Sequence, residues 1–119
     1  MKTARSFYSS KEIRKTESGI EAELAFDPSH ELYSGHFPDN PITPGVCLIQ
    51  ALNDLVAAQF EGRRIKEIRK CKFTAIHNPN EVPEVIATLK VVESDEELRV
   101  SGDISDSNQT FVKYQATFK

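Results

Sequence analysis

Between Gly35 and Val46 the chain reads Gly-His-Phe-Pro-Asp-Asn-Pro-Ile-Thr-Pro-Gly-Val, and the prolines Pro38, Pro41 and Pro44 rule out regular helix or sheet there. Each proline fixes φ, removes an N–H donor and disfavours helical geometry in the residue before it. The segment is therefore expected to be a rigid extended loop with His36 at its mouth. Directly after it comes the one stretch able to form a long helix. Thr43 is placed to cap that helix and Pro44 to occupy its first position, so the helix is expected to begin near Gly45. First-turn amides have no intrahelical acceptor and lie at the positive end of the helix dipole. An imidazole beside such an end suits a reaction that removes a proton and creates an oxyanion, one group taking the proton and the other holding the charge.

From position 46 to 60 the residues Val46, Leu48, Ile49, Ala51, Leu52, Leu55, Val56, Ala57 and Ala58 cover nearly the whole circumference of a helix. That pattern predicts a helix buried on all sides. Gly62 suits its C-terminal stop. The rest reads as strand. Residues 11–15, a Ser18-Gly19 turn and residues 20–26 predict a first strand pair, the second member half-buried because apolar and polar or small residues alternate. Asp27-Pro28-Ser29 breaks that strand. Residues 65–76, 83–92, 97–104 and 109–118 predict four more strands, separated by Asn78-Pro79-Asn80, Ser94-Asp95 and Asp106-Ser107-Asn108. Connections this short predict that successive strands are antiparallel neighbours. Residues 1–10, polar and serine-rich, are expected to form a loose arm. The fold class is α+β, an antiparallel sheet around one long helix, and 119 residues allow a single domain over 1–119.

A formal net charge of -3 with 28% charged and 39% hydrophobic residues predicts neither a nucleic-acid binder nor a membrane-surface protein. Charge is nonetheless uneven. Arg63, Arg64, Lys66, Arg69, Lys70 and Lys72 against Glu67 leave 63–72 basic, whereas Glu93, Asp95, Glu96, Glu97, Asp103 and Asp106 against Arg99 leave 93–106 acidic. Cys47 and Cys71 lack CxxC spacing and lie among apolar residues, so buried, reduced thiols in a cytoplasmic protein are expected rather than a disulfide or metal site. No apolar run follows the N-terminus, so neither a secretory leader nor a membrane span is expected.

The motif Gly35-His36-Phe37-Pro38-x-x-Pro41-x-x-Pro44-Gly45-Val46 resembles the signature of the β-hydroxyacyl-acyl carrier protein dehydratases of the FabA/FabZ type, which have the hotdog fold. The likeness runs in order over 27–52 and again over 72–81, where Lys72-Phe73 to Pro79-Asn80-Glu81 resembles the family's following strand and turn. It implies a hotdog domain, at least homodimeric, with composite sites for an acyl carrier protein or other acyl-pantetheine thioester and no cofactor or metal. By the same resemblance His36 removes the α-proton of a 3-hydroxyacyl thioester and the Gly45 amide binds the thioester carbonyl. Phe37, Pro38 and Val46 would bind substrate beside them. The family's helix carboxylate, fourteen residues after the histidine, falls on Gln50, and the glutamine one turn beyond falls on Asp54; Asp39 stands where the family commonly has glycine. An amide has a carboxylate's shape but cannot deliver a proton at neutral pH, and a general acid contributes about 10²- to 10⁴-fold.

Acyl carrier proteins are acidic, so Arg63, Arg64, Lys66 and Arg69 are candidates to bind one. Two functions of different classes remain open: a dehydratase in which Gln50 or Asp54 orients or supplies the acid, and a non-catalytic or half-catalytic carrier-binding subunit that lends His36 to a partner in a mixed dimer. Related hotdog folds also hydrolyse thioesters, which keeps a thioesterase open. Plainer roles stand beside these. His36 could simply bond to backbone, Gln50, Asn53 and Asp54 could form a polar network at a subunit interface, His30 and His77 read as turn residues, and the basic run reads as a solvated strand end.

Overall fold

The alternation in 20–26 does what its period dictates: β2 (Gly19–Phe26) buries Ile20, Ala22, Leu24 and Phe26 and leaves the residues between them partly exposed. In the computed structural model, which describes residues 7–30, 33, 41–94 and 96–119, this strand is preceded by β1 (Tyr8–Lys15). It is followed by α1 (Gly45–Gln59), β3 (Ile65–Phe73), β4 (Glu84–Glu93), β5 (Leu98–Ser105) and β6 (Thr110–Phe118). Pairing in β1 begins at Tyr8, opposite Phe26, and so reaches into the stretch expected to be a loose arm.

The strands form one six-stranded antiparallel sheet in the order β1-β2-β4-β5-β6-β3. β4 pairs with β5 and β5 with β6, which gives the expected hairpins. The expectation fails between β3 and β4, which are not neighbours. The Thr74 amide still donates to the Phe111 carbonyl, which holds the chain on β6 beyond the end of β3, and residues 74–83 then cross the end of the sheet before β4 pairs with β2. Thus β3 becomes the far edge strand, exposed along its whole length.

The sheet wraps α1, whose Leu48, Ile49, Ala51, Leu52, Leu55 and Val56 are buried against inward residues such as Leu24, Ala87, Leu89, Val100 and Tyr114. Each large apolar side chain removed from water in this way contributes roughly 1.5 to 3 kcal/mol. One curved sheet covers one side of a helix, however, and α1 is not buried all round as its composition predicted. Val46 is 71% exposed, and Gln50, Asp54, Ala57 and Ala58 are exposed with it. The helix ends where the sequence marked it: the Phe60 amide closes on the Val56 carbonyl and Gly62 takes φ 86°, a left-handed conformation that glycine adopts without penalty.

Neither cysteine is fully buried, contrary to expectation, because Cys71 lies on exposed β3 and Cys47 is only partly covered. Among the described residues no helix is long and apolar enough to cross a membrane.

Candidate active site

The start of α1 is built by a proline and a ring. Pro44, extended at φ -60° and ψ 144°, is the N-cap, and no side chain caps the helix. The expected Thr43 cap is absent because its hydroxyl is engaged elsewhere, and Gly45 rather than Pro44 is the first helical residue. The Pro44 carbonyl accepts from the amides of Cys47 and Leu48 at 3.0 and 3.3 Å. The Gly45 and Val46 amides therefore precede the first intrahelical acceptor, and neither has a backbone partner among the described residues. The Phe73 ring lies over this point so closely that a Cβ on Gly45 would come within 2.5 Å of it. A side chain at position 45 would have to displace the outer end of that ring.

Thr43 belongs to a buried hydrogen-bonded chain whose direction is fixed by one carbonyl. His77 Nε2 lies 2.7 Å from the Val82 carbonyl oxygen, which can only accept, so Nε2 carries the proton and Nδ1 is an acceptor. The Thr43 hydroxyl, 2.7 Å from Nδ1, therefore donates to it, and the Tyr33 hydroxyl donates to Thr43 Oγ1 at 2.8 Å. The Thr43 amide adds a bond to the His77 carbonyl at 2.9 Å. His77, 1% exposed, is packed between the rings of Phe26 and Phe111. Burial lowers its pKa, against smaller opposing contributions from the Val82 bond and Asp106, which keeps the ring neutral at neutral pH. His77 is thus a core residue that ties the approach to α1 to the body of the fold, not the turn residue its sequence neighbours suggested. His30 is buried as well.

Along the open side of α1 lie Gln50 and, one turn on, Asp54. Asp54 is partnered, as a carboxylate on an apolar helix should be: the Tyr8 hydroxyl donates to its Oδ2 at 2.8 Å. Burial, then the bond to Asp54, raises the Tyr8 pKa. Asn53 accepts from the Tyr114 hydroxyl at 3.1 Å. Asp54 and Asn53 are thus engaged by different tyrosines, Tyr8 and Tyr114. Tyr8 was invisible to sequence reasoning because it falls in the stretch read as an arm. In the sequence Phe73 stands out only as part of the strand that resembles the family's, and His77 only as a turn residue.

His36, Phe37 and Pro38, with Asp39, lie outside the described residues. Of the basic candidates, Arg63 pairs with Glu93 at 3.1 Å, Lys66 with Glu97 at 3.6 Å and Arg69 with Glu67 at 3.2 Å, and Arg64 is exposed beside them. All but Arg69 lie beyond the C-terminal end of α1, away from Gly45. No group of three His, Cys, Asp or Glu side chains able to hold a metal occurs among the described residues.

A family model described as ApeI-like, the ApeI dehydratase, matches residues 12–114. Among curated relatives, a 3-hydroxyacyl-[acyl-carrier-protein] dehydratase FabZ from Thermoanaerobacter sp. (strain X514) is 34% identical over 71 residues, covering 53% of this chain and 48% of the relative. The FabZ of Latilactobacillus sakei subsp. sakei (strain 23K) is 31% identical over 91 residues, covering 60% of this chain and 65% of that protein. The chain spans about half the length of the first of these relatives and 65% of the second. The dehydratase heterocomplex ApeI:P from Xenorhabdus doucetiae superposes with a TM-score of 0.73 at 19% identity, over 92% of this chain and 96% of that one. At that identity the likeness shows the hotdog fold.

Proposed function

The chain belongs to the ApeI-like dehydratase family, and from that premise we propose that it is a cytoplasmic hydro-lyase that removes water from a 3-hydroxyacyl thioester carried on an acyl carrier protein, in fatty-acid or related acyl-chain synthesis. The observation that supports this reading is the start of α1: the Gly45 and Val46 amides have no backbone partner among the described residues, and the Phe73 ring lies against Gly45. A thioester carbonyl bound to those amides gains charge as the α-proton leaves, and fixed N–H donors at a helix start stabilise that charge without reorganisation. In the reaction His36 takes the α-proton, the freed electron pair forms the α,β double bond, and the β-hydroxyl departs as water after taking a proton relayed through a solvent water. Gln50, exposed on the same face of α1 as Val46, is placed to orient that hydroxyl by hydrogen bonding. It cannot supply the proton. Asp54 is held by Tyr8 one turn further on, about 5 to 6 Å along the axis, so that a water would have to bridge the gap.

A second reading has its own support. The uncovered face of α1, with Val46 71% exposed, and the fold likeness to a dehydratase heterocomplex both favour a mixed dimer, in which a related hotdog subunit supplies the carboxylate that position 50 lacks. One assay separates the two readings. The purified protein is given a 3-hydroxyacyl carrier thioester alone and then with a carboxylate-bearing hotdog partner. Enoyl product from the protein alone supports the self-sufficient homodimer, product only with the partner supports the mixed one, and release of free thiol in either case replaces both with thioester hydrolysis.

A further inference from the structure

We propose that the outer face of the sheet, where β3, β6, β5 and β4 run side by side, is the docking surface for an acidic acyl carrier protein, gripped by Lys70, Lys72, Lys90 and Lys113. This rests on the carrier-bound substrate proposed above and gives that partner its place on the fold. The face holds a trough of about 800 Å³ lined by these four lysines. They point outward because the residues alternating with them, Leu89 and Tyr114 among them, are buried inward. A second hollow of about 310 Å³ adjoins it, sharing Lys90 and adding Arg69 and Arg99.

Charge bookkeeping separates this patch from the rest of the surface. Lys11, Arg63, Lys66 and Arg69 each have a glutamate within ion-pair distance, whereas none of the four trough lysines has an ion pair among the described residues. Lys72 is moreover directly opposite Lys113 across the β3–β6 ladder, an arrangement in which like charges destabilise the pairing. Only Asp103 lies among them, opposite Lys113. Four lysines against one carboxylate on one face leave an excess of positive charge that fits an anionic surface supplied by another molecule. Four strands about 4.8 Å apart give the trough a width of roughly 14 Å, enough for one helix about 10 to 12 Å across.

Position favours the trough over the basic cluster at the other end of β3. Lys72 precedes Phe73, whose ring meets Gly45 from the other face of the strand, so a carrier docked there lies across the sheet from the start of α1 rather than from its far end. Arg63 and Arg64 follow the far end of a 15-residue helix, about 22 Å away. Edge-to-edge association along β3 leaves the outer face open, so a dimer would not cover the trough.

The test is binding of a purified apo acyl carrier protein to the full chain by calorimetry, at low and at physiological salt. Charge reversal by Lys72→Glu or Lys113→Glu is expected to weaken binding at least tenfold, and wild-type affinity should fall as salt screens the contact. Lys72→Glu should also raise Tm, since a glutamate opposite Lys113 turns repulsion into attraction; lower affinity with higher Tm is not what a folding defect produces. Lys113→Gln removes the charge and keeps most of the stem, and it too should bind less tightly. Trough variants that bind within twofold of wild type, a larger loss from Arg63→Glu with Lys66→Glu, or a wild type that does not bind at low salt would each overturn the surface. Because binding is read without turnover, a protein that binds carrier and dehydrates nothing refutes the hydro-lyase and leaves the docking surface standing.

Discussion

A carboxamide at position 50 keeps the length and hydrogen-bonding reach of a carboxylic acid but not its transferable proton, and on the proposed mechanism that difference should show in turnover. Gln50→Glu is expected to raise turnover of the isolated protein, by up to the roughly 10²- to 10⁴-fold that a positioned acid contributes, in a steady-state dehydration assay. Asp54→Asn should cost less than about tenfold, since Asp54 is occupied as the acceptor of the Tyr8 hydroxyl; a larger loss would make Asp54 the acid. His36→Ala should lower activity at least about a hundredfold, the minimum for loss of a general base, with the melting temperature unchanged. His77 behaves differently. Its folded pKa lies below the ordinary value because it is buried, so the unfolded chain takes up the proton first. The stability it contributes is therefore present above about pH 6.5 and is lost as pH falls below that toward the folded value. Thermal melts of His77→Gln should show a lower Tm at pH 7, by the roughly 1 to 3 kcal/mol of a broken buried bond, and less of the wild-type decline below pH 6.5. The position of Gln50 could be read from the sequence because it lies at a fixed offset in a motif. The fixing of Thr43 by His77 could not be read, because it depends on where residues 74–83 cross the sheet.

Each element's identity and the β1–β2, β4–β5 and β5–β6 pairings followed from local chemistry, while the place of β3 did not. The alternation of β2, the breaker at Asp27-Pro28 and the left-handed Gly62 are decided within a few residues, so they were legible. The separation of β3 from β4 is decided by pairing to β6, a contact between residues such as Ile65 and Phe118 that no local pattern encodes. The start of α1 shows both kinds of information at once. Pro44 announces it, yet the crowding at position 45 comes from Phe73, far along the chain. Gly45→Ala is expected to reduce kcat/KM by about tenfold, since a displacement of 1 Å at a reacting group can cost up to about 10². Stability should change little, because the clash is with the far end of a ring that is 52% exposed and free to swing aside. A Tm loss as large as that of a core truncation such as Leu52→Ala, roughly 2 to 5 kcal/mol, would show instead that the ring is held in place.

At the scale of the whole molecule, one chain leaves apolar surface uncovered, and much of it gathers around the start of α1 and along β3. Val46 is 71%, Ile76 69% and Phe73 52% exposed around the start of α1, and Ile65 and Ile68 are 39% and 44% exposed on the edge strand β3. An edge strand offers a row of unpaired amides and carbonyls, and antiparallel pairing of β3 with its own copy would satisfy them by two-fold symmetry while covering the open face of α1. Light scattering should therefore give at least 27 kDa, about twice 13.4 kDa, and Ile68→Asp should shift the protein toward monomer by placing a carboxylate at the centre of the joined edge. A wild-type monomer that becomes a dimer only on addition of a related hotdog chain would mean that the same surface selects a different subunit. In that case the Gln50→Glu gain should disappear from the isolated protein and the missing carboxylate should be found on the partner's helix. A wild-type monomer that stays monomeric with every such partner would remove the composite site, and with it both functional readings.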